Sequence, residues 1–318
     1  MKVIRQASRA SAQSAIRSRE GGFSLISRAK LIQLYSAMIK SRMIAERAAA
    51  LKQQGKLTGD LQNGLGREGT VAGVTVDLHR EDTLSPSRCD FVSSVIKGMT
   101  LEQMFSRLGG SADYQAHGTG ALIFDDQSNV IAPASELDSR LEVVRGAALV
   151  HKMAKNGRVV VVTCANGSAA KECWRDAVQF AEVHELPMLF VWHNDAEYPH
   201  DPPNTVERRA RRSAAKPRCT PAITVDASDA VAVYRVASES IQRARLGRGP
   251  TLIECRKLAP ANGSGLSTTT AAPSGPHDPI EKMEVYLSQK GLFHRDLRQK
   301  IADSFLPELN TATGILTP

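Results

Sequence analysis

The segment from Arg158 to Tyr198 constrains the fold more than any other stretch of the chain. It reads Arg158-Val-Val-Val-Val-Thr-Cys164, then Ala165-Asn166-Gly167-Ser168. A run of helix length follows, then Leu186-Pro-Met-Leu-Phe-Val-Trp192 and His193-Asn194-Asp195. Two apolar, β-branched runs flanking one helix-length segment form the pattern of a βαβ unit with parallel strands. A glycine-bearing turn stands where the first strand hands over to the helix, and the amino end of a helix can receive a phosphate there. In an open parallel sheet both turns lie at the carboxyl ends of the strands, where ligands bind. Asn166 and Asp195 then border one crevice, and two such oxygen donors suit a hard cation such as magnesium. The same Asn-Gly pair is equally the mark of a plain turn.

Further strands are expected near 158–164, 187–192, 221–225 and 251–255, with helices between them. The stretch Ser228 to Leu246 carries Tyr234, Ala237, Ile241 and Ala244 at helical spacing and ends at Gly247. Another helix starts near Ser27, with Leu31, Leu34, Tyr35, Met38 and Ile39 along one side. These elements predict an α/β chain with a parallel central sheet and helices on both faces. Residues 27–318 are expected to form one domain with a C-terminal helical extension, behind a basic tail of residues 1–26.

Several residue series resemble one known family. Thiamine-diphosphate enzymes carry a Gly-Asp-Gly turn followed, after a helix and a strand, by an Asn-Asn turn, and the pair binds the magnesium that bridges the cofactor's diphosphate. Asn166 and Asp195, 29 residues apart, stand at those positions. The text between them is similar to the alpha subunit of the decarboxylating component of 2-oxo acid dehydrogenases, with Asp176-Ala-Val-Gln-Phe-Ala181 and Leu186-Pro187 in register. Leu34-Tyr35 through Glu46-Arg47, Gly55-Lys56, and Gly66-Arg67-Glu68-Gly69 through Gly73-Val74 resemble its opening helix, turn and next helix start. Asp226 through Tyr234, Gly249-Pro-Thr-Leu-Ile-Glu254, Asp278-Pro-Ile-Glu281, Tyr286-Leu287 and Lys290-Gly-Leu292 continue the series in order. Together they span roughly residues 28 to 300.

The resemblance implies a thiamine-diphosphate-binding fold and a set of expectations about the site. Asn166, Asp195 and Glu197 become the candidate magnesium ligands. Arg88, Asn166, Gly167, Ser168 and Asp195 become the candidate cofactor contacts. The implied reaction is oxidative decarboxylation of a 2-oxo acid, with the acyl group passed to a lipoyl-bearing acyltransferase. The implied partner is a beta subunit, in a dimer or an α2β2 complex.

The chain departs from that pattern at several points. The Asp and Asn of the magnesium pair are exchanged, and the first glycine of the turn is Ala165. A Tyr-Arg-Asp-His-Gly run becomes Ser87-Arg88-Cys89-Asp90-Phe91, which keeps the arginine alone. A glycine-rich, histidine-bearing segment becomes Ala132-Pro-Ala-Ser-Glu-Leu-Asp138. Near the last strand a Gly-His-Ser run aligns with Asn262-Gly263-Ser264, and no histidine lies between His200 and His277. These losses predict impaired turnover. The alternative is a non-catalytic relative serving as a structural or regulatory subunit. His193, after a buried strand, is expected in a turn or the core; His117, beside Gly118, lies near a histidine-bearing loop of the family.

Composition narrows the remaining classes. No run of eighteen apolar residues appears, so a spanning helix is not expected. The five cysteines lack metal or redox spacing and read as buried free thiols. The net charge of +8 is unevenly spread, and Val206-Glu-Arg-Arg-Ala-Arg-Arg-Ser-Ala-Ala-Lys216 is the densest basic run, without interleaved aromatic residues. That run is expected to be a solvated loop or a contact for an acidic protein, not a nucleic-acid site. Gly263 to Pro276 reads as a flexible loop. The first 22 residues are rich in Arg, Ser and Ala, with Glu20 the only acid. Such a leader fits a cytoplasmic protein with a basic tail or, as the alternative, a mitochondrial-matrix protein with a transit segment.

Overall fold

The Val-rich runs do become neighbouring strands. The computed structural model describes residues 26–57, 64–108, 124–125, 127–131, 137–165, 172–195, 220–257 and 277–314. The sheet strands are β1 (Thr83–Ser85), β2 (Phe124–Asp125), β3 (Val130–Ile131), β4 (Val160–Cys164), β5 (Met188–Asp195), β6 (Ala222–Asp226) and β7 (Thr251–Lys257). They lie in the order β2-β3-β1-β4-β5-β7-β6. All neighbours are parallel except β2 and β3, whose antiparallel pairing closes one edge of the sheet. The four expected strands are all present. β5 runs three residues past its expected end, because β7 keeps offering backbone partners from His193↔Cys255 to Asp195↔Lys257.

The helices are α1 (Arg28–Gln53), α2 (Glu68–Thr75), α3 (Ser93–Lys97), α4 (Leu101–Leu108), α5 (Leu137–Ala154), α6 (Glu172–Val183), α7 (Ala230–Arg245), α8 (Pro279–Gln289) and α9 (Arg295–Gly314). Their ends follow local chemistry. Ser27 Oγ accepts from Lys30 N at 3.2 Å and starts α1 where the sequence places it. Asp229 Oδ1 accepts from Val231 N and Ala232 N and starts α7, while Gly247 at φ +69° lets the chain leave it. Asp278 caps α8 ahead of Pro279.

Alternation along the strands divides the core between two faces. Val159, Val161, Leu189, Val191 and Ile253 pack with α1, α2, α7 and α9 residues such as Ile44, Val74, Ile241 and Phe305. Val160, Val162, Met188 and Phe190 pack on the other face with Val144 and Ala148 of α5 and Trp174 and Ala177 of α6. The parallel central sheet therefore has helices on both faces. On α7 it is Val233, not Tyr234, that completes the buried stripe with Ala237, Ile241 and Ala244; Tyr234 turns its hydroxyl to Asp77. α2 lies close against α7: a Cβ on Gly73 would meet Val233 Cγ1 at 2.8 Å and Tyr234 N at 3.0 Å. No described helix is long and apolar enough to cross a membrane.

Two buried ionic groups tie these layers. Arg42 on α1 donates through Nε to Glu68 Oε1 at 2.6 Å and through Nη2 to Asp278 Oδ1 at 2.8 Å. Asp82, just before β1, is fully buried and takes both terminal nitrogens of Arg245 on α7.

Candidate functional site

The candidate site is built at the carboxyl ends of β1, β4 and β5. Parallel register sets its frame: Ser85 pairs with Val162, and Cys164 with Trp192. Neighbouring strands lie about 4.8 Å apart. Asn166 follows β4 by two residues, and Asp195 is the last residue of the adjacent β5. Asn166, Gly167, Ser168 and Glu197 lie outside the described residues, and so does the side chain of Asp195. His117, the basic run 206–216, Asn262 to Ser264 and the loop 263–276 lie outside them as well.

The segment after β1 is described and is bound closely to β4. Ser87 N donates to Thr163 Oγ1 at 2.8 Å, and Ser87 Oγ lies 3.0 Å from Cys89 Sγ. Arg67, at the start of α2, donates to the same sulfur. Arg88 is half-buried on this segment and engages other groups of the protein. Asp90 and His193 form a shielded pair, with His193 Nε2 3.5 Å from Asp90 Oδ2 and each residue about 2% exposed. His193 is therefore a core histidine, as its position after a buried strand predicts.

Arg140 is the main feature that sequence reasoning missed. It stands on the inward face of α5 between Leu137, Leu141 and Val144. Its Nη1 donates to Pro86 O at 2.7 Å and its Nη2 to Thr163 O at 2.9 Å. Burial without a carboxylate partner pushes its pKa down to about 10. The guanidinium thus fastens the two strand ends that flank the crevice to the helix behind them. The signal was an arginine in an otherwise apolar stripe at helical spacing.

Glu254 on β7 is a second unforeseen member. Its Oε1 accepts from Asn194 Nδ2 at 2.6 Å and Arg256 Nη2 at 2.9 Å, and its Oε2 from Thr224 Oγ1 at 2.9 Å. Asn194 is thereby held one residue before Asp195. Cys89, Cys164 and Cys255 are buried free thiols. Burial raises the Cys164 thiol well above its ordinary range and the Cys255 thiol to about 12, so neither is a nucleophile at neutral pH.

By donor type alone, an amide two residues after β4 in the sequence and a carboxylate residue ending β5 are of the kind that suits magnesium diphosphate. Among the described residues no cluster of three His, Cys, Asp or Glu side chains could hold a metal. Arg140 is committed to two carbonyls, and His193 is buried with its Nε2 3.5 Å from Asp90 Oδ2 and not hydrogen-bonded to it. The described part of the site thus presents no exposed acid–base histidine.

Comparison with known proteins agrees with this arrangement. The model of the family described as "Dehydrogenase E1 component" matches residues 35–315. The 2-oxoisovalerate dehydrogenase subunit alpha of Bacillus subtilis is 26% identical over 296 residues, covering 89% of each chain. The alpha subunit of the same organism's acetoin:2,6-dichlorophenolindophenol oxidoreductase is 27% identical over 289 residues, covering 86% of each. The pyruvate dehydrogenase E1 component subunit alpha of Staphylococcus aureus is 25% identical over 293 residues, covering 89% of this chain and 77% of the relative. With the matched region running from α1 to the last residues of α9, the chain belongs to the dehydrogenase E1 component family.

Proposed function

We propose that the chain is an alpha-type subunit of a thiamine-diphosphate-dependent decarboxylating component, able to hold the cofactor and impaired in turnover. The observation that supports this reading is the parallel β4–β5 register, with Cys164 opposite Trp192, beside which Asn166 follows two residues later in the sequence and Asp195 ends β5. Asn166, Asp195 and Glu197 would supply oxygen ligands to magnesium. Arg88 and the backbone amides near Gly167 and Ser168 would meet the diphosphate. When bound, thiamine diphosphate supplies the electron sink for loss of carbon dioxide from a 2-oxo acid, and the protein's share is orientation and electrostatics. Transfer of the acyl group to a lipoyl carrier would complete the reaction. Impairment is inferred from the lost histidines and glycines, together with the burial of His193 against Asp90. That closed pair also favours the second reading, a non-catalytic subunit that retains the fold.

Calorimetry with thiamine diphosphate and magnesium tests the site. Weak binding is expected, and the double exchange Asn166→Asp with Asp195→Asn should change it little, because several other contacts are missing. Micromolar binding by the unaltered chain with a beta partner would overturn the inferred impairment.

Assembly with a beta subunit, or as a dimer, is part of the same proposal. Val143, Leu149, Val150 and Met153 are exposed along α5, and Val183 at the end of α6 is 70% exposed. Lys152 joins the two helix ends by donating to His184 O. An apolar stripe of this kind on an outer helix supports a partner-covered surface. Light scattering should show a dimer, or a tetramer with the beta subunit. The pair Val150→Asp and Met153→Asp should break that assembly while leaving the melting temperature of the single chain nearly unchanged. A stable unaltered monomer at micromolar concentration, alone and with the beta subunit, would contradict the assembly claim.

A further inference from the structure

The edge of the sheet opposite the candidate site, at the amino ends of β5, β6 and β7, carries a cavity of its own. It has a volume of about 360 Å³ and is lined by Glu182, Glu185, Thr220, Arg243 and Arg248, with Pro221 and Pro250. Its walls come from two turns that touch each other. The turn after α6 places Glu185 at φ +46°, and the turn after α7 places Gly249 at φ +79°. A Cβ on Gly249 would lie 3.7 Å from Glu185 Cα.

Three polar atoms of this lining are shielded from solvent and have no hydrogen-bond partner: Glu182 Oε1, Thr220 Oγ1 and Arg243 Nε. Buried polar atoms are nearly always paired, because leaving one unmet costs on the order of 1–3 kcal/mol. Here an unmet acceptor and an unmet donor of opposite charge line one cavity without pairing to each other. Arg243 is held in place, since its Nη2 donates to Arg248 O at 2.7 Å. Glu185 stays near Lys152, with its Oε2 3.8 Å from the ammonium, which leaves Glu182 as the anionic wall.

We propose that this cavity binds a small zwitterion of the α-amino acid class. Its ammonium would meet Glu182 and the Thr220 hydroxyl, and its carboxylate would meet Arg243, with Arg248 at the rim. A polyanion such as a nucleotide or diphosphate would face Glu182 and Glu185, and a bare cation would face Arg243. Only a ligand carrying both signs answers both unmet groups. The two prolines leave room beside the charged groups for a short aliphatic side chain. The proposal is independent of the thiamine-diphosphate reading, because the two sites use opposite ends of the strands.

Calorimetry and thermal-shift measurements on the intact chain test it, with glycine, alanine and leucine as probes. Propionate and propylamine serve as the two half-ligands. The amino acids should bind and raise the melting temperature, and each half-ligand should bind at least about tenfold more weakly, the ratio expected for loss of one charged hydrogen bond. Glu182→Gln and Arg243→Gln should each weaken binding by about tenfold or more. Thr220→Val gives a milder variant should either charge change unsettle the fold, and it should weaken binding severalfold. Absence of binding by all three amino acids would overturn the proposal. So would half-ligands that bind as well as the amino acids, or affinity unchanged in folded Arg243→Gln or Thr220→Val. Thiamine diphosphate is titrated separately, so failure at one site is read apart from failure at the other.

Discussion

Replacing Arg42 with alanine should lower unfolding stability by about 3–5 kcal/mol, the cost of removing one partner from a buried ionic group. Three layers meet at this side chain. Its guanidinium joins α1 to Glu68, which begins α2, and to Asp278, which caps α8. All three side chains are about 6% exposed or less. Glu68 Oε1 also accepts from Gly66 N at 3.1 Å, and Asp278 Oδ1 from Ile280 N at 3.0 Å. Without Arg42, two buried carboxylates would stand close together with only backbone donors to meet them. Urea unfolding followed by circular dichroism gives the loss directly as a fall in midpoint. Neutralising both acids in the Arg42→Ala background, by Glu68→Gln with Asp278→Asn, should recover part of it, since the penalty lies in the unpaired charges. A loss below about 1 kcal/mol would show that water reaches the group and that the pairs are those of a solvated surface.

The substitution Asp82→Asn should cost about 2–4 kcal/mol, from charge-assisted hydrogen bonds lost at a fully buried carboxylate. Four donors converge on Asp82: Arg245 Nη1 at 2.9 Å, Arg245 Nη2 at 2.5 Å, Val159 N at 3.0 Å and His79 N at 2.7 Å. An asparagine has one acceptor oxygen and would turn its amide N–H groups towards other donors. The effect should be concentrated where β1 meets β4, because Val159 N and Thr83 N are both bonded at that junction. Hydrogen exchange should speed up at Thr83 and Val159 before it changes at β7. Uniform acceleration across the sheet would mean that the junction does not open separately.

The sequence made the strands legible because buried parallel strands are written as apolar, β-branched runs, as in Val159 to Val162. Helix starts were legible where a cap is local, as at Ser27. The β2–β3 hairpin was not foreseen, because two-residue strands carry no period to read. Arg42 and Asp278 lie 236 residues apart, and Asp82 and Arg245 lie 163 apart. Their partnership is a product of the fold and leaves no spacing in the text. At the candidate site, the strands that end at Cys164 and Asp195 were readable from the alternation of strand and helix. The Asp90–His193 pair, the Glu254 hub and the Arg140 clamp were hidden, since each joins residues that share no local motif.

Arg140 also gives α5 two duties that act on one rigid body. Its inner face grips Pro86 and Thr163, while its outer face carries Val143, Val150 and Met153. A helix transmits small displacements along and across its length with little deformation, because its interior contacts are close-packed. A subunit seated on the outer stripe would therefore press, through the guanidinium, on the mouth between β1 and β4. The helix would then work as a lever, its displacement reaching strand ends that Arg140 holds together with the β1–β4 ladder and the Ser87–Thr163 hydrogen bond.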